Sequence, residues 1–416
     1  MEKIRQFWQK DGTRSVMASL LSILIGLGAG SVLILAVGLG NPAMGWKTAW
    51  EGIRLVFLGV FSTGRDIASG LLTFGFNPAS MGNLLFRATP VVLTGLSVAV
   101  AYKTGLFNIG AAGQYLAGTC ATLLIALSVP TGVGELYQYQ LAQGMAEPAV
   151  FFPTWFVWLL AFGGGMLAGA LWGAIPGLLK SLLNINEVIA CIMTNWIAAN
   201  LVTWIFDISN LKNMIENTKS SYIYKTTANG VATSKMGLDK LFPGSQVNGG
   251  IIIAIALAIM MYVVFSRTTF GYQLKACGSN RFAARYAGIK DKRNIVLSMA
   301  IAGAMAGAAG SLYYLSGNTE FFWSTYQALP AEGFNGIPVA LLASNNPIGV
   351  IFAGIFMSML DISGLQLTNL TAFNEYITDV IIAVIVYLSA FSLVIKMLLS
   401  GRRKKARKSG KEAQVK

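Results

Sequence analysis

The chain is 416 residues long, 55% hydrophobic and only 12% charged, about half the charged share of an ordinary soluble domain. With 46 Gly and a mean hydropathy of +0.61, this excludes a soluble globular protein and a disordered chain alike and predicts an all-α, polytopic membrane protein. Thirty-one Lys and Arg against 17 Asp and Glu leave a formal net charge of +14, and where that excess sits decides between a nucleic-acid partner and a topology signal.

In chain order, residues 1–15 form a basic tail with Lys3, Arg5, Lys10 and Arg14. Apolar runs of about 20 residues, the length that spans a hydrocarbon core, follow at Val16–Leu39, Leu84–Tyr102, Asn108–Val129, Trp155–Leu179 and Val188–Phe206. The first is longer than a signal-peptide apolar region, and no convincing small-residue cleavage site follows it. Residues 51–75 carry Arg54, Arg65 and Asp66 in an otherwise apolar stretch and suit an interfacial segment better than another crossing. The second and third runs meet in a Gly-rich turn, Lys103 to Gln114, which sets Asn108 and Gln114 at a helix start. Its free N–H groups could face a polar ligand, and a tight cytoplasmic turn fits equally. The fourth run repeats Gly165, Gly169, Gly173 and Gly177, a spacing that lets helix backbones meet. The fifth opens with Asn186 as N-cap and Glu187 in the first turn, then carries Asn195 near mid-span and Asn200. The Asn195 amide can bond a solute or a neighbouring helix.

The stretch Asp207–Gly249 is long enough to be an outer loop whatever its charge. Runs at Ile251–Phe265, Ile295–Leu315, Ala328–Ala343, Ile348–Leu365 and Tyr376–Leu399 bring the count to about ten transmembrane helices. Five and five is the parity of an inverted repeat, since an odd first set forces the second to run antiparallel. The seventh run carries Gly303, Gly307 and Gly310. Between the sixth and seventh lies a basic loop, 267–293, in which Asn280 can cap a short helix. There the small residues Ala283, Ala284, Ala287 and Gly288 alternate with Arg281, Arg285 and Tyr286. Such a helix suits docking into a groove on another protein, and a merely solvated basic loop fits as well. Residues 401–416 form a second basic tail. The two tails and the loop hold 19 of the 31 basic residues against four acids, leaving the rest of the chain at −1. The excess is therefore a topology marker: both termini and the loop are placed in the cytoplasm, residues 16–400 form the membrane domain, and the tail around Arg402–Lys408 reads as an anchor. Residues 130–152 and 316–327, on the outer side, contain no Lys or Arg. No nucleic-acid partner is expected.

The sequence lacks His, which removes imidazole relays, triads and His metal sites. Cys120, Cys191 and Cys277 are far apart and imply neither a disulfide framework nor a zinc site. No P-loop motif is present, so ATP-driven work needs a partner subunit. No catalytic residue, metal or cofactor is expected in this chain.

Four ordered segments carry a resemblance: Thr104–Gly118; Asn186 to Asn195; Gly271–Gly310; and Gly333-Phe334-Asn335-Gly336-Ile337-Pro338 with Asn346-Pro347-Ile348-Gly349. Together they resemble the permease subunits of bacterial ABC importers for branched-chain amino acids, sugars and nucleosides, most of all the nucleoside permeases. The resemblance implies a multi-pass protein of the bacterial cytoplasmic membrane. It would pair with a second homologous permease, sit on two ATPase subunits, and receive a small polar solute from an extracellular substrate-binding lipoprotein. It also implies that Gly278, Asn280, Ala283, Ala284 and Gly288 belong to the segment coupled to the ATPase; Phe282 stands where the commonest pattern has Glu. Amides and aromatics with few intramembrane charges suit a neutral ring-bearing solute, and Asn108, Gln114, Asn195, Trp196 and Phe334 are the candidates for its path. A sugar or branched-chain amino acid permease is an alternative. So is an ion-coupled secondary transporter, although the acids Glu187, Asp361, Glu375 and Asp379 fall near span ends.

Overall fold

A computed structural model describes residues 11–42, 44–213, 222–323, 327–374 and 376–390. Most of the basic tails, the placement of both termini and residues 391–399 of the tenth apolar run lie outside the described residues. Among the described residues regular structure is helical apart from one hairpin, as suits a protein whose backbone groups must be satisfied without water. The helices are α1 (Asp11–Gly40), α2 (Trp46–Leu58), α3 (Pro78–Lys103), α4 (Ala111–Ser128), α5 (Glu135–Ala142), α6 (Thr154–Leu183) and α7 (Glu187–Ile208). They continue as α8 (Gly250–Arg267), α9 (Thr269–Ser279), α10 (Arg281–Tyr286), α11 (Asp291–Tyr314), α12 (Ala331–Leu342), α13 (Pro347–Leu370) and α14 (Tyr376–Ala390). Among the described residues eight are long and apolar enough to cross a membrane: α1, α3, α4, α6, α7, α8, α11 and α13.

The chain divides into two compact units. One holds α1, α2, the hairpin, the end of α13 and α14. Within it, Gly26 and Gly30 let α1 lie against Ile385 and Ile381 of α14. Residues 51–75 form no helix of spanning length: α2 has 13 residues and gives way to the antiparallel strands β1 (Ser62–Arg65) and β2 (Leu72–Phe74). Arg65 ties this segment down. It pairs with the buried Glu51 at 2.8 Å and donates to the carbonyls of Gly70 and Leu370 at 2.6 and 2.7 Å.

The other unit, residues 78–340 and 345–358, is built on the antiparallel pair α3 and α11. Phe86 stacks on Tyr313 at one end, at 5.6 Å between centroids, and Ser298 Oγ donates to Thr104 Oγ1 at 2.7 Å at the other. The glycine ladder of α6 works as its spacing predicts. Gly165, Gly169 and Gly173 face the backbone of Gly303 and Gly307, leaving no room for a Cβ on either side. In α4, Gly118 meets Gly307, and Thr122 Oγ1 lies 2.7 Å from Ser311 Oγ. At the Phe86 end the connecting segments pack on one another. Thr131 Oγ1 donates to the Asn229 carbonyl at 2.6 Å, and the Ile223 N–H donates to Phe321 O at 3.1 Å. The three segments expected on the outer side thus share one end of the unit, and α9 and α10 lie at the other.

One apolar run is not a full span. Helix α12 has 12 residues, about 18 Å, against a hydrocarbon core of about 30 Å. It starts after Pro330 and stops before Ser344 and Asn345, whose φ values of 50° and 56° are left-handed. Gly333 and Gly336 press it onto Ala112 of α4 and the Thr94 carbonyl midway along α3. Helix α13 then runs back along α3, with Val350 beside Gly95 and Gly354 beside Val92.

Candidate functional site

Two groups of residues stand out, one exposed on α9 and α10 and one buried where α3 meets α4. Thr268 opens α9, its hydroxyl accepting from the Gly271 N–H at 3.0 Å. Asn280 ends α9 and starts α10: its Oδ1 accepts from the Ala283 N–H at 3.0 Å, as a capping Asn should. Gly288 closes the turn at φ +78°, where a side chain would be strained, and its N–H donates to Arg285 O at 3.0 Å. Arg281 and Arg285 fold back on the buried Asp291 carboxylate, at 2.6 and 3.0 Å. With its cations drawn to one side and Ala284 buried, α10 presents Phe282 and Tyr286, 78% and 98% exposed, with Ala283. Gly278 anchors the segment: any Cβ there would strike the backbone of the turn Lys103–Gly105, itself bent through Gly105 at φ +75°.

That turn leads into the second group. Residues 104–110 connect α3 to α4 inside the protein, beside Ser298 in the first half of α11. Asn108, fully buried, donates to Gln114 Oε1 at 2.8 Å and Ser97 Oγ at 3.0 Å. Its Oδ1 accepts from Gln114 Nε2 at 3.0 Å and from the Gly110 N–H at 3.1 Å. Asn195, on α7, accepts from the Gly113 N–H at 2.8 Å and donates to Ile109 O at 3.0 Å. A turn buried away from water needs such partners for its polar groups.

The structure therefore brings Asn108, Gln114 and Asn195 into one network and engages their amides with protein. It sets Trp196 apart, on the exposed face of α7, and leaves Phe334 half-buried on α12. The α7 start is as read: Asn186 accepts from the Val188 N–H at 2.8 Å, and Glu187 pairs with Lys180 at 2.9 Å. Sequence reading passed over the contact of Gly278 with the 103–105 turn, the Thr104–Ser298 bond, and Asn200 as the amide on the open face. Only Asn200 had a signal, since it follows Trp196 by one helical turn.

The family model for the branched-chain amino acid transport system permease component matches residues 80–390. The chain is 34% identical over 387 residues to the nucleoside ABC transporter permease protein NupB of Lactococcus lactis, covering 93% of this chain and 94% of that one. It is 31% identical over 390 residues to the guanosine ABC transporter permease protein NupP of Bacillus subtilis, covering 94% and 97%. The glucose ABC transporter permease protein TsgB13 of Haloferax volcanii is 30% identical over 288 residues, 68% of each chain.

Proposed function

Because this chain belongs to the permease family of branched-chain amino acid transport systems, we propose that it is the membrane subunit of an ABC importer whose solute is a nucleoside. It is a transport subunit and not itself the ATPase. The observation that carries the nucleoside reading is similarity along nearly the whole chain to nucleoside and guanosine permeases; the glucose permease matches a shorter part. A buried network of neutral amides, with few buried charges, supports an uncharged solute.

Energy enters in this reading at α10. The exposed Phe282 and Tyr286 seat in a groove of an ATPase subunit, with Asn280, Ala283, Ala284 and Gly288 shaping the helix that docks. Gly278 passes a displacement to the turn Lys103–Gly105, and the segment 104–110 passes it through Asn195 to α7. ATP-driven closure of the ATPase pair would then rock α7 and α4 around the solute path. A second homologous permease completes the membrane part, and an extracellular lipoprotein delivers the solute. Uptake of radiolabelled guanosine by cells lacking this chain tests the reading: a marked fall is expected, and uptake equal to wild type would refute it.

A further inference from the structure

The face of α7 turned away from the bundle is apolar except at its middle. Met193, Trp196, Ile197, Asn200, Leu201 and Trp204 line a shallow, open hollow walled on one side only. Asn200 lies 13 residues into a helix of 22, about 20 Å along one of about 33 Å, well inside the hydrocarbon. Its Nδ2 donates to Trp196 O at 2.8 Å. Its Oδ1 has no partner among the described residues, nor has the indole N–H of Trp196, which is 55% exposed one turn earlier.

Trp204, near the helix end, can reach the interface as aromatic belts do. Trp196 and Asn200 cannot, and lipid cannot satisfy them. A polar pair at this depth belongs on a water-filled cavity or a solute route. The hollow carries no charged residue, so its occupant is neutral, and an indole beside a carboxamide matches a flat heterocycle with a polar edge. The preceding residue, Asn195, ties this same helix to the segment that Gly278 contacts, so the wall moves with α10.

We propose that this face is one wall of the solute path. Trp196 stacks on the base of a nucleoside, Asn200 hydrogen-bonds its polar edge, and the facing wall comes from the second permease. The inference rests on the nucleoside-importer reading. Its test uses the assembled transporter in membrane vesicles and a membrane-impermeant maleimide. Cys120, Cys191 and Cys277 are all buried, so the wild-type chain sets the background, and Leu171→Cys on the exposed face of α6 serves as the lipid-facing control. Asn200→Cys is expected to react and Leu171→Cys to stay at background. In parallel, Trp196→Ala and Asn200→Ala are expected to change the ratio of guanosine to uridine uptake by ~3-fold or more, within the effect of losing one base–aromatic stack, at unchanged membrane abundance. An unreactive Asn200→Cys would mean lipid or a dry permease–permease seam and would overturn the proposal; so would reactivity with an unchanged ratio. A wild-type transporter that imports neither nucleoside would defeat the nucleoside reading instead, while the labelling still decides whether α7 faces water.

Discussion

The segments 104–114 and 278–288 use the same residue types to opposite ends. Each is a short turn with glycines and an Asn that precedes a helix. In the first, Asn108 turns inward and is fully buried, with all of its bonds made to protein. In the second, Asn280 caps its own helix and the residues after it leave Phe282 and Tyr286 bare. Depth accounts for the difference. A polar turn buried in the protein must be satisfied by protein and so becomes a rigid lock, whereas one at the surface can leave side chains open to a partner. The two touch at Gly278 and Gly105, which makes the exposed turn a handle on the buried one.

Substitutions should separate lock from handle, and the largest effect is expected where they meet. Gly278→Leu drives a side chain into the backbone of residues 103–105 and should cost about 3 kcal/mol or more, with transport lost; an unchanged thermal midpoint in detergent would break the link. Asn108→Leu strands Gln114 and the Gly110 N–H at a cost of about 3 kcal/mol, read as a large fall in that midpoint. Gly288→Arg should abolish uptake while the chain still inserts, with a stability change of only about 1 kcal/mol from the left-handed backbone; wild-type uptake would remove α10 from the coupling route. The smallest effect on the fold belongs to Phe282→Ala with Tyr286→Ala. Stability should stay within about 0.5 kcal/mol, yet co-purification with the ATPase should weaken ~10-fold. Retained ATPase with lost stability would reverse the assignment of the two turns.

Much of this architecture is legible in the residues. The glycine ladder of α6 and the caps Asn186 and Asn280 depend on spacing within one helix or turn, and each behaves as that spacing predicts. Residues 51–75 likewise form no helix of spanning length, and Arg54, Arg65 and Asp66 interrupt their apolar run. Helix α12 was harder: Ala328–Ala343 has the composition of a span, but it packs across α3 and α4 and stops at a left-handed pair. For α7, hydropathy could not distinguish Asn195 from Asn200, since both are mid-span amides and the helix is apolar on every side.

By itself, then, the sequence determined the class of molecule, the number of apolar runs, the contacts set by helical period and the position of the short capped helix in the basic loop, all of which depend on composition and local spacing. Tertiary structure decided the rest: which amides are bound, which face of α7 is open, and that Gly278 joins the two turns. Those are contacts between residues far apart in the chain, such as Gly113 with Asn195 and Gly105 with Gly278. A hydrogen bond or a close backbone approach exists only once the partner helix is in place, and no local pattern records it.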